Sequence, residues 1–171
     1  GYTLVLGYIA NLGTGPALNP NLPYDAIKDF APISHVVSAP SIAVINPNVP
    51  AKNLQEVLAL ARAKPASISF GTAAVGSIGH LSGEMLNRLA NVKMQHVPYK
   101  GGGQAVIDVL GGQIPLVIIG MSAGTPHVRA GKLRAIATTG LKRSFAFPEV
   151  PTIAEQGFPG FSADAWYGLL T

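Results

Sequence analysis

A chain of 171 residues, 48% of them apolar and only 12% charged, can bury a full core, and its composition argues against disorder. The length suits one compact domain or about one and a half lobes of something larger. Zero cysteines exclude disulfides and thiolate metal sites, and no apolar run reaches the length of a membrane-spanning helix. The formal charge of +4, with a pI near 9.5, invites a nucleic-acid reading. The basic residues are scattered, however, from Lys28 and Lys52 to Lys142-Arg143, with no dense run interleaved with aromatics. A small anionic ligand suits the excess charge as well, and no nucleic acid is expected as a partner.

Strand and helix patterns alternate along the chain. Tyr2–Leu6 opens as a strand without an initiator Met or charged leader, and Ala165–Thr171 closes as an apolar run that still needs strand partners. The chain is therefore expected to be cut from a longer polypeptide at both ends. Val36–Ile45 is a second strand. Asn53 caps a helix that carries Leu54, Val57, Leu58 and Ala61 on one face and ends before Pro65. Ile68–Phe70 is a short strand leading into the glycine-bounded turn Gly71–Gly76. Ser77 then begins a helix with Leu81, Met85, Leu86 and Leu89 at helical spacing. Val92–Val97 is a strand, Gln104–Leu110 a helix stopped by Gly111-Gly112, and Ile114–Ile119 a strand buried on both faces. A helix from about Ala123 to Ala130 and the strand Leu133–Thr138 complete the series. This alternation predicts an α/β fold with a mainly parallel sheet and helices on both faces.

Ligands of open α/β sheets bind beyond the carboxyl ends of strands, so the strand-to-helix turns are the places to look for chemistry. Gly71–Ser77 has the glycine spacing of a phosphate loop, but Ser77 stands where that motif needs Lys. What remains is a turn feeding backbone N–H groups at a helix start, an anion site that a carboxylate would fit. The bland alternative is that Ser77 only caps its helix and Gly76 only makes the turn. Gly120-Met121-Ser122-Ala123-Gly124 matches the nucleophile elbow of serine hydrolases. The only later histidine is His127, five residues on, and Asp164 follows it in the wrong order, so Ser122 reads as a cap or a ligand-facing hydroxyl. His35, His80, His96 and His127 lack metal-ligand spacing, and no metal, cofactor or catalytic residue is expected. His80, one turn into its helix, is a candidate on the ligand side or a structural histidine. The turn after the first strand, Gly7–Thr14, is rich in potential hydrogen-bond donors.

Several phrases, in order, resemble a known family. They include Leu22-Pro23-Tyr24-Asp25, Lys28-Asp29-Phe30-Ala31-Pro32, Gly76-Ser77 with His80-Leu81, and His96-Val97-Pro98-Tyr99-Lys100-Gly101. Leu110-Gly111-Gly112-Gln113, Ala130-Gly131-Lys132-Leu133-Arg134, Pro148-Glu149-Val150-Pro151-Thr152 and Trp166-Tyr167-Gly168 continue the series. The set is similar to the substrate-binding proteins of tripartite tricarboxylate transporters, the Bug receptors, over the full length of the chain. The resemblance implies a periplasmic-binding-protein-like fold of two lobes, with residues 1–39 and 160–171 in lobe one and 40–159 in lobe two. It implies a periplasmic receptor, not an enzyme, that captures a small carboxylate and delivers it to a membrane permease. The oligomeric state stays open.

Thr72, Ala73, Gly76 and Ser77 carry over as second-lobe ligand contacts, and Tyr8, Ala10, Asn11 and Thr14 as first-lobe contacts. His80, Met121 and Ser122 join them as candidates. Many relatives have Asp or Asn where this chain has Gly120-Met121-Ser122, so a partner for a ligand amine is missing and an amino-acid ligand is disfavoured. Relatives also extend past both ends, and the first glycine-rich ligand loop is expected to lie in that extension. The alternatives are a serine hydrolase built on Ser122 and the effector-sensing domain of a transcription regulator.

Overall fold

The structure is a computed structural model that describes residues 3–65 and 67–171. Strand β1 is Val5–Tyr8, followed by a wide helical turn at Ile9–Thr14 and the short helix α1, Gly15–Leu18. Strand β2, Pro32–Ile45, leads to α2, Leu54–Ala63, and β3, Ser69–Thr72. Then come α3 (Ile78–Leu89), β4 (Gln95–Pro98), α4 (Gly102–Leu110), β5 (Leu116–Gly120), α5 (Met121–Arg129) and β6 (Arg134–Thr138). Strand β7, Asp164–Leu170, closes the chain. The predicted Tyr2–Leu6 strand thus appears shifted to Val5–Tyr8, and Tyr2 lies outside the described residues.

The helix starts follow from their caps. The Asn53 side chain accepts from Glu56 N–H, and Ser77 accepts from His80 N–H, so each satisfies one of the donors that a first turn leaves without an intrahelical partner. Gly101, at φ 115°, turns the chain from β4 into α4 in a conformation that only glycine adopts cheaply.

The seven strands form one sheet in the order β1-β7-β2-β5-β3-β4, with β6 also paired to β2. The sheet is mixed, which corrects the expectation of a mainly parallel one. The crossover argument holds for β3, β4 and β5, which pair in parallel. The long strand β2 then slots between β5 and β6, antiparallel to both. Strand β7 is antiparallel to β1 and to β2. The apolar run at the end of the chain therefore does have partners, one on each side. They come from strands more than a hundred residues away in sequence, which periodicity cannot reveal.

Strand β2 changes environment along its length. Pro32–Pro40 pairs with β7 and is mostly exposed, whereas Ser41–Ile45 pairs with β5 and is buried. In its buried half, Ala43 and Ile45 point to one face, joined by Leu116 and Ile118 of β5. Leu54, Val57 and Leu58 of α2 and Leu86 of α3 cover that face. Ile42 and Val44, with Val117 and Ile119, point to the other, covered by Ala105, Val106 and Val109 of α4. Alternate residues facing opposite layers are what a strand's period of two requires when helices lie on both sides.

Candidate ligand site

Strands β3 and β5 run side by side in the same direction, so the helices that follow them, α3 and α5, begin at the same edge of the sheet. A cavity of about 450 Å³ opens there. Its walls include Ala73, Ser77, Ile78 and Gly79 from the start of α3, and Gly120, Met121 and Ser122 from the start of α5. Tyr8 and Tyr167 close it from the β1–β7 side, their rings stacked with centroids 6.1 Å apart.

The donors of the Gly71–Ser77 turn are arranged differently from the simplest sequence expectation. Gly76, at φ 77°, donates its N–H to Nδ1 of His80 at 3.1 Å and accepts at its carbonyl from the Thr14 hydroxyl at 2.7 Å. The Ser77 hydroxyl donates to the Ala74 carbonyl at 2.8 Å while capping His80 N–H. Both residues are therefore already committed within the turn. The N–H groups that a first helical turn leaves over are those of Ile78 and Gly79, and both residues line the cavity. Gly79 can be there because it has no side chain: a Cβ would lie 2.1 Å from the carbonyl oxygen of Ile118 on β5. The helix start and the strand end thus meet backbone to backbone.

The second helix repeats the arrangement. Gly120 precedes α5 without any side-chain cap, so the first-turn N–H groups of α5 have no capping partner, and Gly120, Met121 and Ser122 line the cavity. Two positive helix ends, of α3 and α5, converge on one space. Its polar side chains are Tyr8, Ser41, Ser77, Ser122 and Tyr167, and no charged side chain lines it among the described residues. Such a site favours an anion and offers nothing to neutralise an amine.

The predicted site residues divide into two groups. Tyr8, Ala73, Ser77, Met121 and Ser122 line the cavity. Ala10, Asn11, Thr14, Thr72, Gly76 and His80 are not among its lining residues. The Asn11 side chain accepts from Tyr8 N–H at 2.8 Å, and the Ala10 carbonyl lies where a Cβ on Gly15 would fall, at 2.6 Å. Thr72 Oγ1 lies 2.7 Å from Nε2 of His96 and donates to the Ala74 carbonyl at 3.1 Å. The rings of His80 and His96 stack with centroids 4.0 Å apart. Burial, and then the nearby His80, hold the basicity of His96 below the ordinary histidine range, against a smaller opposing pull from Glu84. Just after β4, burial and a 2.7 Å hydrogen bond to Asp108 push the Tyr99 hydroxyl up to about 12. Sequence reasoning missed Ile78, Gly79 and Tyr167. A glycine at the second helical position was a usable signal for Gly79, whereas Tyr167 needs the β1–β7 pairing.

No hydrogen bond joins Ser122 to a histidine among the described residues, and no group of three or more His, Asp or Glu side chains is placed to hold a metal there.

A mixed sheet between two helical layers, with helix starts opening on a cavity beyond the strand ends, defines a periplasmic-binding-protein-like fold. Distant solved structures share it, among them ArgBP from T. maritima at TM-score 0.50 and 10% identity over 83% of this chain and 48% of that one, which bears on the fold alone. The chain belongs to the tripartite tricarboxylate transporter family receptors, whose model matches residues 1–171. It is 39% identical to protein BugT of Bordetella pertussis over 171 residues, 99% of this chain and 52% of that protein. A protein of R. palustris solved with adipate superposes with a TM-score of 0.95 at 30% identity, over 100% of this chain and 57% of that one. MatC from Rhodopseudomonas palustris with bound malate gives 0.88 at 31%, over 99% of this chain and 57% of that one. The chain thus spans about half the length of the relatives it matches. The matching family is one of receptors, which speaks against the hydrolase alternative on Ser122.

Proposed function

We propose that the whole protein is a periplasmic receptor that captures a small carboxylate in the cavity between Tyr8, Ser77 and Ser122 and passes it to the permease of a tripartite transporter. The observation that carries this reading is the convergence of two helix starts, α3 and α5, on one cavity with hydroxyls and, among the described residues, no charged side chain. Hydrogen bonds from N–H groups to a charged acceptor contribute about 1.5–3 kcal/mol each, enough for a grip without a salt bridge. Adipate and malate in the related structures support the ligand class.

The lobe boundaries 1–39, 40–159 and 160–171 belong to the same proposal. They are supported by the point at which β2 leaves β7 for β5, between Pro40 and Ser41, and by the return of the chain through Ala163 into β7. Thr139 ties the two crossings: its hydroxyl accepts from Ser41 N–H at 2.8 Å and donates to the Ala163 carbonyl at 2.6 Å.

The test is thermal unfolding of the complete protein with adipate, malate and arginine in turn. A ligand present at a hundred times its dissociation constant stabilises by about 2.7 kcal/mol, a shift of a few degrees. Dicarboxylates are expected to raise the melting temperature and arginine to leave it unchanged. Stabilisation by arginine alone would sink the carboxylate reading.

A further inference from the structure

Behind the cavity wall, a continuous chain of contacts runs from one end of the Ala73–Ser77 turn to the other. The Thr72 hydroxyl donates to the Ala74 carbonyl, so it is free to accept from His96, which therefore carries its proton on Nε2. The His96 ring stacks on the ring of His80, and Nδ1 of His80 accepts the N–H of Gly76. Nδ1 can accept only while it carries no proton. Two imidazolium rings 4.0 Å apart would repel, so the stack resists carrying two positive charges.

We propose that His80 and His96 are positioning residues for the anion-binding turn, fixing the approach to the α3 start only while both rings are neutral, so that acidification loosens the turn and weakens the ligand. This rests on the carboxylate reading of the cavity. Protonated at Nδ1, His80 would present a donor to the Gly76 donor, and the tie at the most tightly bent residue of the turn would be lost. The groups facing the pair are Phe70 and Thr72 of β3, which do not ionise, and Glu84 of α3. Glu84 favours a proton on His96, while burial of that ring and the proximity of His80 oppose it.

The experiment compares the complete protein with His80→Asn and His80→Phe. Asn places a carbonyl oxygen near the position of Nδ1 and cannot be protonated, whereas Phe keeps a flat ring without an acceptor. Adipate affinity is read by calorimetry from about pH 8 to about pH 6, and Gly76 amide exchange, corrected for intrinsic rates, over the same range. Wild type is expected to lose about fivefold in affinity on acidification, the worth of one hydrogen bond, with a matching loss of Gly76 protection. His80→Phe should be about fivefold weak throughout, and His80→Asn should bind within about twofold of wild type at high pH with a flat profile. A wild-type affinity that is flat or rises on acidification, or a His80→Asn variant as weak as His80→Phe, overturns the proposal. If wild type binds neither adipate nor malate, the carboxylate reading has failed, and Gly76 exchange in the same samples still decides whether the pair holds the turn. Should His80→Phe fail to fold, the wild-type and His80→Asn profiles alone decide it.

Discussion

Gly79→Ala is the sharpest way to separate the start of α3 from the rest of the cavity. The added methyl would sit 2.1 Å from the Ile118 carbonyl oxygen and 3.0 Å from its carbon, against main chain that cannot rotate away. A carbon–oxygen contact needs about 3.3 Å, so the helix start must retreat from β5 by about 1.2 Å. That movement carries the Ile78 and Gly79 N–H groups out of hydrogen-bond range of an anion held by the rest of the site. Two charge-assisted bonds at about 1.5–3 kcal/mol each amount to about 3–6 kcal/mol, or two to four decades in affinity. The fold suffers less, because overpacking costs about 1–3 kcal/mol and replacing a helical glycine by alanine returns up to about 1 kcal/mol. Calorimetric titration with adipate, alongside thermal unfolding, gives both quantities from one preparation of the complete protein. If Gly79→Ala binds adipate within about threefold of wild type while melting several degrees lower, the α3 start does not hold the ligand and the argument fails.

Three further outcomes follow from the same geometry. Ser77→Ala removes a helix cap and the tie to Ala74, so it should cost about 0.5–2 kcal/mol of stability, with a smaller affinity loss than Gly79→Ala because the hydroxyl is already committed within the turn. Thr139→Val leaves the buried Ser41 N–H and Ala163 carbonyl short of a partner, and should cost about 2–5 kcal/mol, read as a lower urea midpoint with an unchanged slope. The Glu155 carboxylate accepts from Thr152 N–H and Arg143, which hold its pKa below the ordinary range. Its contribution is therefore present above about pH 4.3 and lost as the pH falls through the lowered value, so Glu155→Gln should be less stable at neutral pH and show a shallower acid limb in unfolding midpoint against pH.

The sequence made the helices of this protein legible where a cap, an apolar stripe and a glycine or proline stop agree, as at Asn53 to Pro65 and Ser77 to Leu89. It was less informative about β2, whose exposed half, with Ile33, Val36 and Val37 open, lacks the burial that marks a strand and exists because β7 pairs with it. The Gly71–Ser77 turn and the Ser77 cap were legible because a glycine and a capping serine at a helix start have a local meaning. Which of its N–H groups stay free was not legible, since that depends on Thr14 from the first turn and on the His96 ring stacked against His80.

The same distinction explains how the cavity selects. With no charged side chain on its walls among the described residues, the proposed preference for an anion would come from the two helix starts, and their separation is set by the parallel pairing of β3 with β5 and by the close approach of Gly79 to Ile118. Under the proposed carboxylate reading, the backbone scaffold would set the sign of the ligand's charge and the place of its carboxylate. Tyr8, Met121, Ser122 and Tyr167 can change without disturbing that frame, so they are the positions at which receptors of this shape can differ in the length and polarity of the carboxylate they accept.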